Sequence, residues 1–285
     1  MLEEELPNFL LAFEWAQHLE ESSEICVLAN ELSTFLNLRS HWSEWLRITE
    51  LAVKKAESVS DLKLESIAYN NLAVLYRQIE RFKDAVEYSQ KSLSFCQEIG
   101  DRYGEGLAYC NLAGSHFALR EMQVSQIEYE KARNIFLELD NLYEQSLSLM
   151  GIGMVLARSH KLEEADSQFE ACLEIQRKIG DKFGEAQTLN NLGIALRMQG
   201  KLDQAIQSLR TSIQIKKEIG DRQGNATALN NLAIAHLQQG DLDLAIAALS
   251  EALSMSSELN PSEMERITER LAKVQEMKRT VTTGS

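Results

Sequence analysis

Apolar residues recur every three or four positions along most of this chain, in segments of similar length. One such set marks one helix face (Leu189, Leu192 and Leu196), and the next set marks another (Leu202, Ala205, Ile206, Leu209 and Ile213). This spacing is typical of α-helices, because strands would alternate at every second residue. Proline occurs only at Pro7 and Pro261, so the segment between them lacks the strongest helix breaker. The pattern predicts an all-α fold.

The helical pattern itself repeats every forty residues, in the phrases SIAYNNLAVLY, GLAYCNLAGSHF, SLSLMGIGMVLA, AQTLNNLGIALR and ATALNNLAIAHL. Each phrase carries a small residue, and a second small residue follows twelve positions later. The small residues are Ala73, Ala113, Gly153, Gly193 and Ala233, followed by Ala85, Ser125, Ala165, Ala205 and Ala245. Small side chains let paired helices approach closely. We therefore predict at least twelve helices of about 16 residues in antiparallel pairs, with repeat boundaries near residues 60, 100, 140, 180, 220 and 260.

Glycine falls mainly where one helix is expected to end and another to begin. These glycines are Gly100, Gly104, Gly180, Gly184, Gly200, Gly220, Gly224 and Gly240. A glycine that ends a helix can adopt a positive φ, and the Asp that follows several of them can cap the next helix.

The ends of the repeated region are divergent. In residues 21–60, Ser33 takes a small position, Trp42 matches Phe82, and Trp45 replaces the expected alanine. We therefore expect six repeats over 21–260, the first of them divergent, after a lead-in helix at 1–20. A further helix is expected at 261–279, with Pro261 at its start and charged residues along most of it. A charged outer face suits a cap on the stack, and the tail 280–285 is expected to be disordered.

A small residue followed twelve positions later by an alanine, in stacked helix–turn–helix units, resembles the tetratricopeptide repeat. The forty-residue unit is similar to the longer form found in kinesin light chains, spindle-orientation adaptors and bacterial signalling proteins. The resemblance implies a right-handed α-solenoid in which the first helix of each repeat lines a concave groove.

A second resemblance lies at the N-terminal end. The segment LPNFLLAFEWAQ (Leu6–Gln17) is similar to the helix that precedes such repeats in bacterial STAND-type NTPase regulators, at Pro7, Asn8, Ala12, Trp15 and Ala16. This resemblance implies either the excised ligand-sensing arm of such a regulator or a stand-alone derivative of it. The sequence contains no GxxxxGK[ST] phosphate loop, so no NTPase site is expected in this chain.

Composition and charge exclude several classes of partner. The formal net charge is −14, and residues 1–60 hold eleven Glu against Arg39, Arg47, Lys54 and Lys55. Such a balance repels nucleic acid and anionic lipid. No apolar stretch is long enough to span a membrane, and the acidic N-terminal segment does not resemble a secretory or mitochondrial signal.

The four cysteines (Cys26, Cys96, Cys110 and Cys172) are far apart, which favours buried free thiols in a reducing cytoplasm. The five histidines form no metal-binding pattern. A GxSxG motif is also absent, so the sequence offers no catalytic constellation. We expect no enzymatic activity, cofactor or metal.

The candidate binding residues are polar positions on otherwise apolar first helices. Two residues before the small residue stand Asn71, Asn111, Asn191 and Asn231, with Gly151 interrupting the column. Asn is unfavourable inside a helix, so four in one register need a reason. Resemblance to the kinesin-light-chain group implies that these amides hold the backbone of an extended peptide. A purely structural ladder between repeats is the alternative. The preceding Asn70, Asn190 and Asn230 are expected to line the groove wall, with Cys110 and Met150 in their column.

Arginines follow one turn further along the same helices, at Arg77 and Arg197, and Arg158 lies one residue past their column. They are expected either to pair with neighbouring carboxylates or to recognise a carboxylate or phosphate of a ligand. The leading hypothesis is a module that binds a protein or peptide segment, preferably an acidic one. The alternatives are a regulator or phosphatase-type modulator of a bacterial signalling protein, and a self-assembling scaffold.

Overall fold

The computed structural model describes Asn8, Leu11, Phe13 and residues 22–38, 42–255 and 261–283. Regular secondary structure within these residues is entirely helical, as the sequence predicted. The thirteen helices are α1 (Ser22–Leu38), α2 (Trp42–Val59), α3 (Leu62–Gln78), α4 (Phe82–Ile99), α5 (Arg102–Ala118), α6 (Met122–Glu138), α7 (Leu142–Arg158), α8 (Leu162–Ile179), α9 (Lys182–Met198), α10 (Leu202–Glu218), α11 (Arg222–Gln239), α12 (Leu242–Leu253) and α13 (Pro261–Thr283). Connections of two or three residues join most of them, which makes the two helices of each helix–turn–helix pair antiparallel neighbours.

The chain divides into two compact units, residues 1–141 and 142–285. Unit 1 holds three helix pairs, α1–α2, α3–α4 and α5–α6, and the first helices of successive pairs also contact each other. Its core includes Phe13 and Trp45, whose side chains are 0% and 1% exposed. Trp45 therefore fills the divergent first pair at the position where later pairs hold an alanine or a serine.

Unit 2 holds the pairs α7–α8, α9–α10 and α11–α12, followed by α13, which packs on α12. Ile267 and Val274 of α13 are buried, while most of its charged residues are exposed. This helix takes the place of the first helix of a further pair, since Arg270 lies forty residues after Asn230 in the same register. It continues to Thr283, four residues past the predicted end, and residues 284–285 lie outside the described part.

The small residues lie where paired helices touch. Ala113 and Ser125 are both fully buried, as are Ala205 and Ala245. A Cβ added to Gly193 would lie 2.7 Å from Cγ of Leu209, which is closer than real side-chain contacts. The facing helix therefore limits the size of the side chain at these positions, and helix propensity is not the reason for the small residues.

Every helix joint from residue 60 to residue 240 contains a residue with positive φ. Five of the ten are glycines (Gly100, Gly180, Gly200, Gly220 and Gly240), and five are not (Ser60, Glu80, Arg120, Asp140 and His160). The Asp that follows three of the glycines caps the next helix: the backbone N–H of Gly104, Gly184 and Gly224 donates to Asp101, Asp181 and Asp221. This is a stabilising arrangement for an otherwise unpaired helix start.

The structure corrects the role expected for Gly104, Gly184 and Gly224, which do not end helices. They lie in the first turn of α5, α9 and α11, and their φ is not positive. A Cβ at Gly184 would lie 2.2 Å from Oδ2 of Asp181, so these positions need glycine for close approach and not for a left-handed backbone.

Two expectations concern the N-terminal end and membrane association. Of the residues assigned to the lead-in helix, only Asn8, Leu11 and Phe13 are described, and these are helical; Pro7, Ala12, Trp15 and Ala16 lie outside the described residues. None of the helices in the described ranges combines the length and the apolar character that a membrane span requires.

Candidate functional site

Asparagine side chains link the first helices of successive repeats. Within unit 1, Asn71 donates from Nδ2 to Oδ1 of Asn30 at 3.0 Å, and Asn111 donates to Oδ1 of Asn70 at 2.7 Å. Within unit 2, Asn231 donates to Oδ1 of Asn190 at 3.0 Å. We call each of these hydrogen bonds a rung. Its donor stands two residues before the small residue of one repeat, and its acceptor stands three residues before the equivalent position of the preceding repeat.

The rungs leave part of each amide unused. An asparagine side chain offers two N–H donors and an oxygen with two lone pairs, whereas a rung uses one donor and one lone pair. The amides are half-buried, except for Asn111, which is buried, and Asn30, which is exposed. A ladder between repeats and contact with a ligand are therefore compatible.

Asn191 differs from the other three, because Met150 stands where its rung would need an acceptor amide. Within the described part of the chain, its side chain makes no hydrogen bond, although it is half-buried. Asn191 instead lines a cavity of about 510 Å³ in unit 2. The amide is therefore left available at the wall of an open space.

The cavity of unit 2 has an apolar side and a polar side. Met150, Met154 and Phe183 supply the apolar wall, while the polar wall includes Gln187, Asn190, Asn191, Lys216, Asp221, Gln223 and Thr227. Such a mixture suits an amphipathic group that is held by a few directed hydrogen bonds.

Lys216 is the most buried charge in this wall, at 5% exposed. Its Nζ lies 2.9 Å from Oδ2 of Asp221 and 5.9 Å from the ring centroid of Phe183. The charge is therefore already compensated by a carboxylate, as burial requires. Lys216 shapes the cavity without offering a free cation.

Unit 1 has a cavity of about 490 Å³ in the same register, 120 residues earlier in the chain. Asn70, Asp101 and Gly104 take the places of Asn190, Asp221 and Gly224. Cys96 takes the place of Lys216, and five further positions differ, where Asn30, Lys63, Ile67, Tyr103 and Leu107 replace Met150, Phe183, Gln187, Gln223 and Thr227. Burial raises the pKa of the Cys96 thiol, so the wall is neutral at this point.

The predicted arginines occupy different environments. Arg77 and Arg197 are half-buried on α3 and α9, and the buried Nε of each has no hydrogen-bond partner among the described residues. Arg158 is exposed in the last turn of α7. None of the three lines the two cavities.

Arg77 packs beside Gly114 and near Tyr129, within unit 1. Burial raises the pKa of Tyr129 to about 12, and the positive charge of Arg77 counteracts only part of this effect. Arg197 donates from Nη1 to Oε1 of Gln238 at 3.4 Å, a weak bond across two first helices.

Sequence reasoning missed several residues of this face. Asn30 accepts a rung, and Arg270 donates to Oδ1 of Asn230. Asn30 lies forty residues before Asn70, and Arg270 lies forty residues after Asn230. Continuing the forty-residue step in both directions would therefore have found them. Phe183 does carry such a signal, because Tyr103 and Tyr143 precede it in its column. Lys216 carries none, because its column holds the unrelated Cys96, Phe136 and Gln176.

The profile of the tetratricopeptide repeat matches residues 64–138, 144–218 and 199–258, which together span more than half of the chain. The chain belongs to the tetratricopeptide repeat family. A comparison with curated protein sequences gives no match. Among the described residues, no group of three or more His, Cys, Asp or Glu side chains is arranged to hold a metal ion.

Several solved tetratricopeptide repeat structures share the fold. BtubC (BKLC) from P. vanneervenii has a TM-score of 0.65 and 20% identity, covering 77% of this chain and 92% of that chain. The apo quorum sensor NprR from B. thuringiensis has a TM-score of 0.67 and 17% identity over 98% and 82%. NprR is also known in complex with its cognate peptide NprX.

The STAND protein PH0952 from Pyrococcus horikoshii, which has a tetratricopeptide repeat sensor, gives a TM-score of 0.68 and 17% identity. The match covers 97% of this chain and 48% of that chain, so the present chain spans about half of the STAND protein. At such identities these likenesses establish the fold alone.

Proposed function

We propose that this chain is a binding module that holds an extended peptide segment of a protein against the amide face, the asparagine-bearing side of the first helices α9 and α11 in unit 2. The observation that carries the proposal is Asn191, a half-buried amide that makes no side-chain hydrogen bond with any described residue and lies at the wall of a 510 Å³ cavity. Solvent reaches the polar atoms of this amide, so a peptide unit, which supplies both a donor and an acceptor, can replace water there.

The cavity gives the same ligand a place for a side chain. Met150, Met154 and Phe183 would contact its apolar part, and Gln187 would bond a polar end. Lys216 is paired with Asp221, so the cavity favours a neutral or amphipathic side chain over an acidic one. Main-chain amide contacts supply affinity in this mode of recognition, and the pocket supplies specificity.

The likeness to NprR, which is known with its cognate peptide NprX, supports a peptide ligand. The fold alone does not determine the ligand, since repeat scaffolds share their architecture while the residues of the binding face vary. The amide face is therefore the feature to test.

The test is a peptide-display selection on the purified chain, followed by calorimetric titration of the selected peptides. Asn191→Ala should weaken binding, and Gln207→Ala should not, because Gln207 is exposed on the second helix α10. Both variants should keep the helical circular dichroism spectrum. Peptides that bind wild type and Asn191→Ala equally would contradict the proposed use of this face.

We further propose that peptide binding serves a sensing role. The likeness to a STAND protein with a repeat sensor and the resemblance of Leu6–Gln17 to a STAND lead-in helix support this finer assignment. The coding sequence upstream of this chain provides a direct check. An NTPase in the same reading frame or an adjacent gene would agree with sensing, and its absence from both would favour an independent binding module.

A further inference from the structure

The cavity of unit 1 is lined by two opposite charges that do not pair with each other. Lys63, in the first turn of α3, and Asp101, which caps α5, both line this space of about 490 Å³. Oδ1 of Asp101 accepts the backbone N–H of Gly104, whereas Oδ2 accepts no hydrogen bond from a described residue. Neither side chain forms an ion pair within the described part of the chain. The cavity therefore presents an ammonium group and a carboxylate oxygen to a ligand.

The corresponding cavity of unit 2 has a different arrangement of charge. There the buried ammonium group of Lys216 lies 2.9 Å from Oδ2 of Asp221, so the chain itself neutralises the carboxylate. Cys96 stands in the place of Lys216. Burial raises the pKa of its thiol, and the negative charge of Asp101 adds to the shift, so Cys96 supplies no counter-ion. Unit 1 thus keeps the carboxylate of this arrangement without the lysine that neutralises it in unit 2.

The cation of unit 1 comes from a different helix. Lys63 is exposed on α3, and its flexible four-carbon stem lets the ammonium group adjust to a ligand. Lys63 and Asp101 also line a neighbouring cleft of about 700 Å³, together with Val59 and Ile99. The two charges are therefore shared by the cavity and the cleft, which gives a small ligand a route to both of them.

The rest of the cavity wall is mainly apolar or uncharged. Ile67, Tyr103 and Leu107 supply apolar surface, and Asn70 supplies an amide. The volume falls within the range of about 300–1,000 Å³ that is usual for small-molecule sites, which combine apolar walls with a few polar groups. A suitable ligand is small, carries both signs of charge and has an apolar part.

We propose that the cavity of unit 1 binds a free α-amino acid with an apolar side chain, and we call it the zwitterion site. The carboxylate of the amino acid bonds the ammonium group of Lys63, and its own ammonium group bonds Oδ2 of Asp101. Its side chain contacts Ile67 and Leu107. The site lies in unit 1 and is independent of the amide face of unit 2.

Charge favours a zwitterion over other small ligands. A simple anion is repelled by the net charge of −14, and a simple amine would face Lys63 with no charge to offset it. A zwitterion satisfies both groups and has no net charge. A peptide bond at either end of the same residue would remove one of the two charges, so the free amino acid should bind more tightly than that residue inside a peptide.

The probes are L-leucine, N-acetyl-L-leucine, which lacks the ammonium group, and L-leucinamide, which lacks the carboxylate. Titrations of the full chain are followed by ¹H–¹⁵N NMR at about pH 6.5, where free α-amino groups are protonated. The backbone N–H of Gly104 reports on Asp101, to which it donates, and the N–H of Gly224 is the internal control, because Asp221 is already paired with Lys216. L-leucine should shift the Gly104 signal and leave the Gly224 signal in place.

The two modified probes should each bind about two- to fivefold more weakly than L-leucine, the range for one solvent-accessible charge pair. Lys63→Gln should weaken L-leucine by a similar factor and leave L-leucinamide unchanged. Asp101→Asn should weaken L-leucine and leave N-acetyl-L-leucine unchanged. An amide oxygen can still cap α5, and circular dichroism checks that the variant is folded. Asp181→Asn is the matched control, because Asp181 caps α9 in the same way and lines neither cavity.

Four outcomes would overturn the zwitterion site. The first is no shift of the Gly104 signal with millimolar L-leucine, and the second is an equal shift of the Gly224 signal. The third is equal affinity for the three probes. The fourth is a loss in Asp101→Asn that is as large for N-acetyl-L-leucine as for L-leucine, or one that Asp181→Asn reproduces. Selection of peptides that require Asn191 would be unaffected by any of these results.

Discussion

Ser125 donates a hydrogen bond of 2.7 Å to the main-chain carbonyl of Ala113, from one helix of a pair to the other. These residues are the two small positions of their repeat, so the bond shows directly that the helix backbones meet there. The equivalent positions in the pair α9–α10 are Gly193 and Ala205. A Cβ added to Gly193 would lie 3.2 Å from the carbonyl oxygen of Ala205.

Ala205→Trp should therefore overpack this contact and lower the free energy of unfolding by about 1–3 kcal/mol or more. Chemical denaturation followed by circular dichroism measures the effect. Ala247→Trp is the matched control, since Ala247 is exposed on the second helix α12, and its effect should stay within about 0.5 kcal/mol. Equal stability of Ala205→Trp and wild type would mean that the close contact has been misassigned.

Substitutions at two helix joints are expected to change the free energy of unfolding in opposite directions. Gly200 has a φ of 78°, and a Cβ there would meet nothing within 4 Å, so Gly200→Ala changes only the backbone preference. It should cost about 1 kcal/mol. Arg120 has a φ of 66° at an equivalent joint, and Arg120→Gly should stabilise the chain by about 0.5–1 kcal/mol, the relief of strain exceeding the entropy cost of glycine. Thermal unfolding of both variants provides the measurement, and shifts of the same sign would contradict the expectation.

Replacing Asn191 and replacing Asn231 are expected to affect stability and peptide affinity differently. Asn231→Ala removes a rung and should lower both stability and peptide affinity, whereas Asn191→Ala breaks no hydrogen bond of the described structure and should lower affinity alone. Each lost hydrogen bond is worth about 0.5–1.5 kcal/mol, so the double variant should bind a selected peptide about tenfold more weakly or worse. Calorimetric titration and thermal unfolding of all three variants test this. Wild-type affinity in the double variant would leave the ladder with a structural role only.

A pH dependence is expected at Glu128, whose carboxylate lies 2.7 Å from Nδ1 of His116 in a buried pair. Burial raises the pKa of Glu128, and the contact with His116 offsets part of this shift. The folded chain therefore binds the Glu128 proton more tightly than the unfolded chain. The resulting stabilisation is complete below the unfolded pKa and is lost as pH rises through the folded pKa.

Glu128→Gln removes this titration, so its free energy of unfolding relative to wild type should increase as pH rises from about 4 to about 7. Denaturant titrations across this range provide the comparison. Glu121 and Lys131 also face the pair and stay unchanged in both proteins. A stability difference that is constant with pH would show that the Glu128 pKa is not raised.

The fold was predictable because its determinants are local and repeated. The three-and-four spacing specified helices, and the small residues at intervals of twelve specified where they pair. Glycine was less informative at the joints, since Arg120 and His160 adopt a positive φ that their residue types do not suggest. There the packing of both helices imposes a conformation that the isolated residue disfavours.

The candidate site was predictable only in part. Stepping by forty residues aligns equivalent positions, but the rungs join residues 41 apart, such as Asn111 and Asn70. Neighbouring first helices are staggered by one residue, and the sequence period does not contain this offset. The two cavities also depend on residues from the second helices, such as Lys216, whose neighbours become clear only once the helices are packed.

The matching cavities have a consequence for engineering this scaffold. Asp101 and Gly104 of unit 1 already stand where Asp221 and Gly224 stand in unit 2, and Cys96 occupies the place of Lys216. In a Cys96→Lys variant, Asp101 would therefore supply the counter-ion of the new ammonium group, and Gly104, which has no side chain, would leave room for it. This one substitution would give the unit 1 cavity the buried ion pair of the unit 2 cavity, and the helices that carry it would stay unchanged.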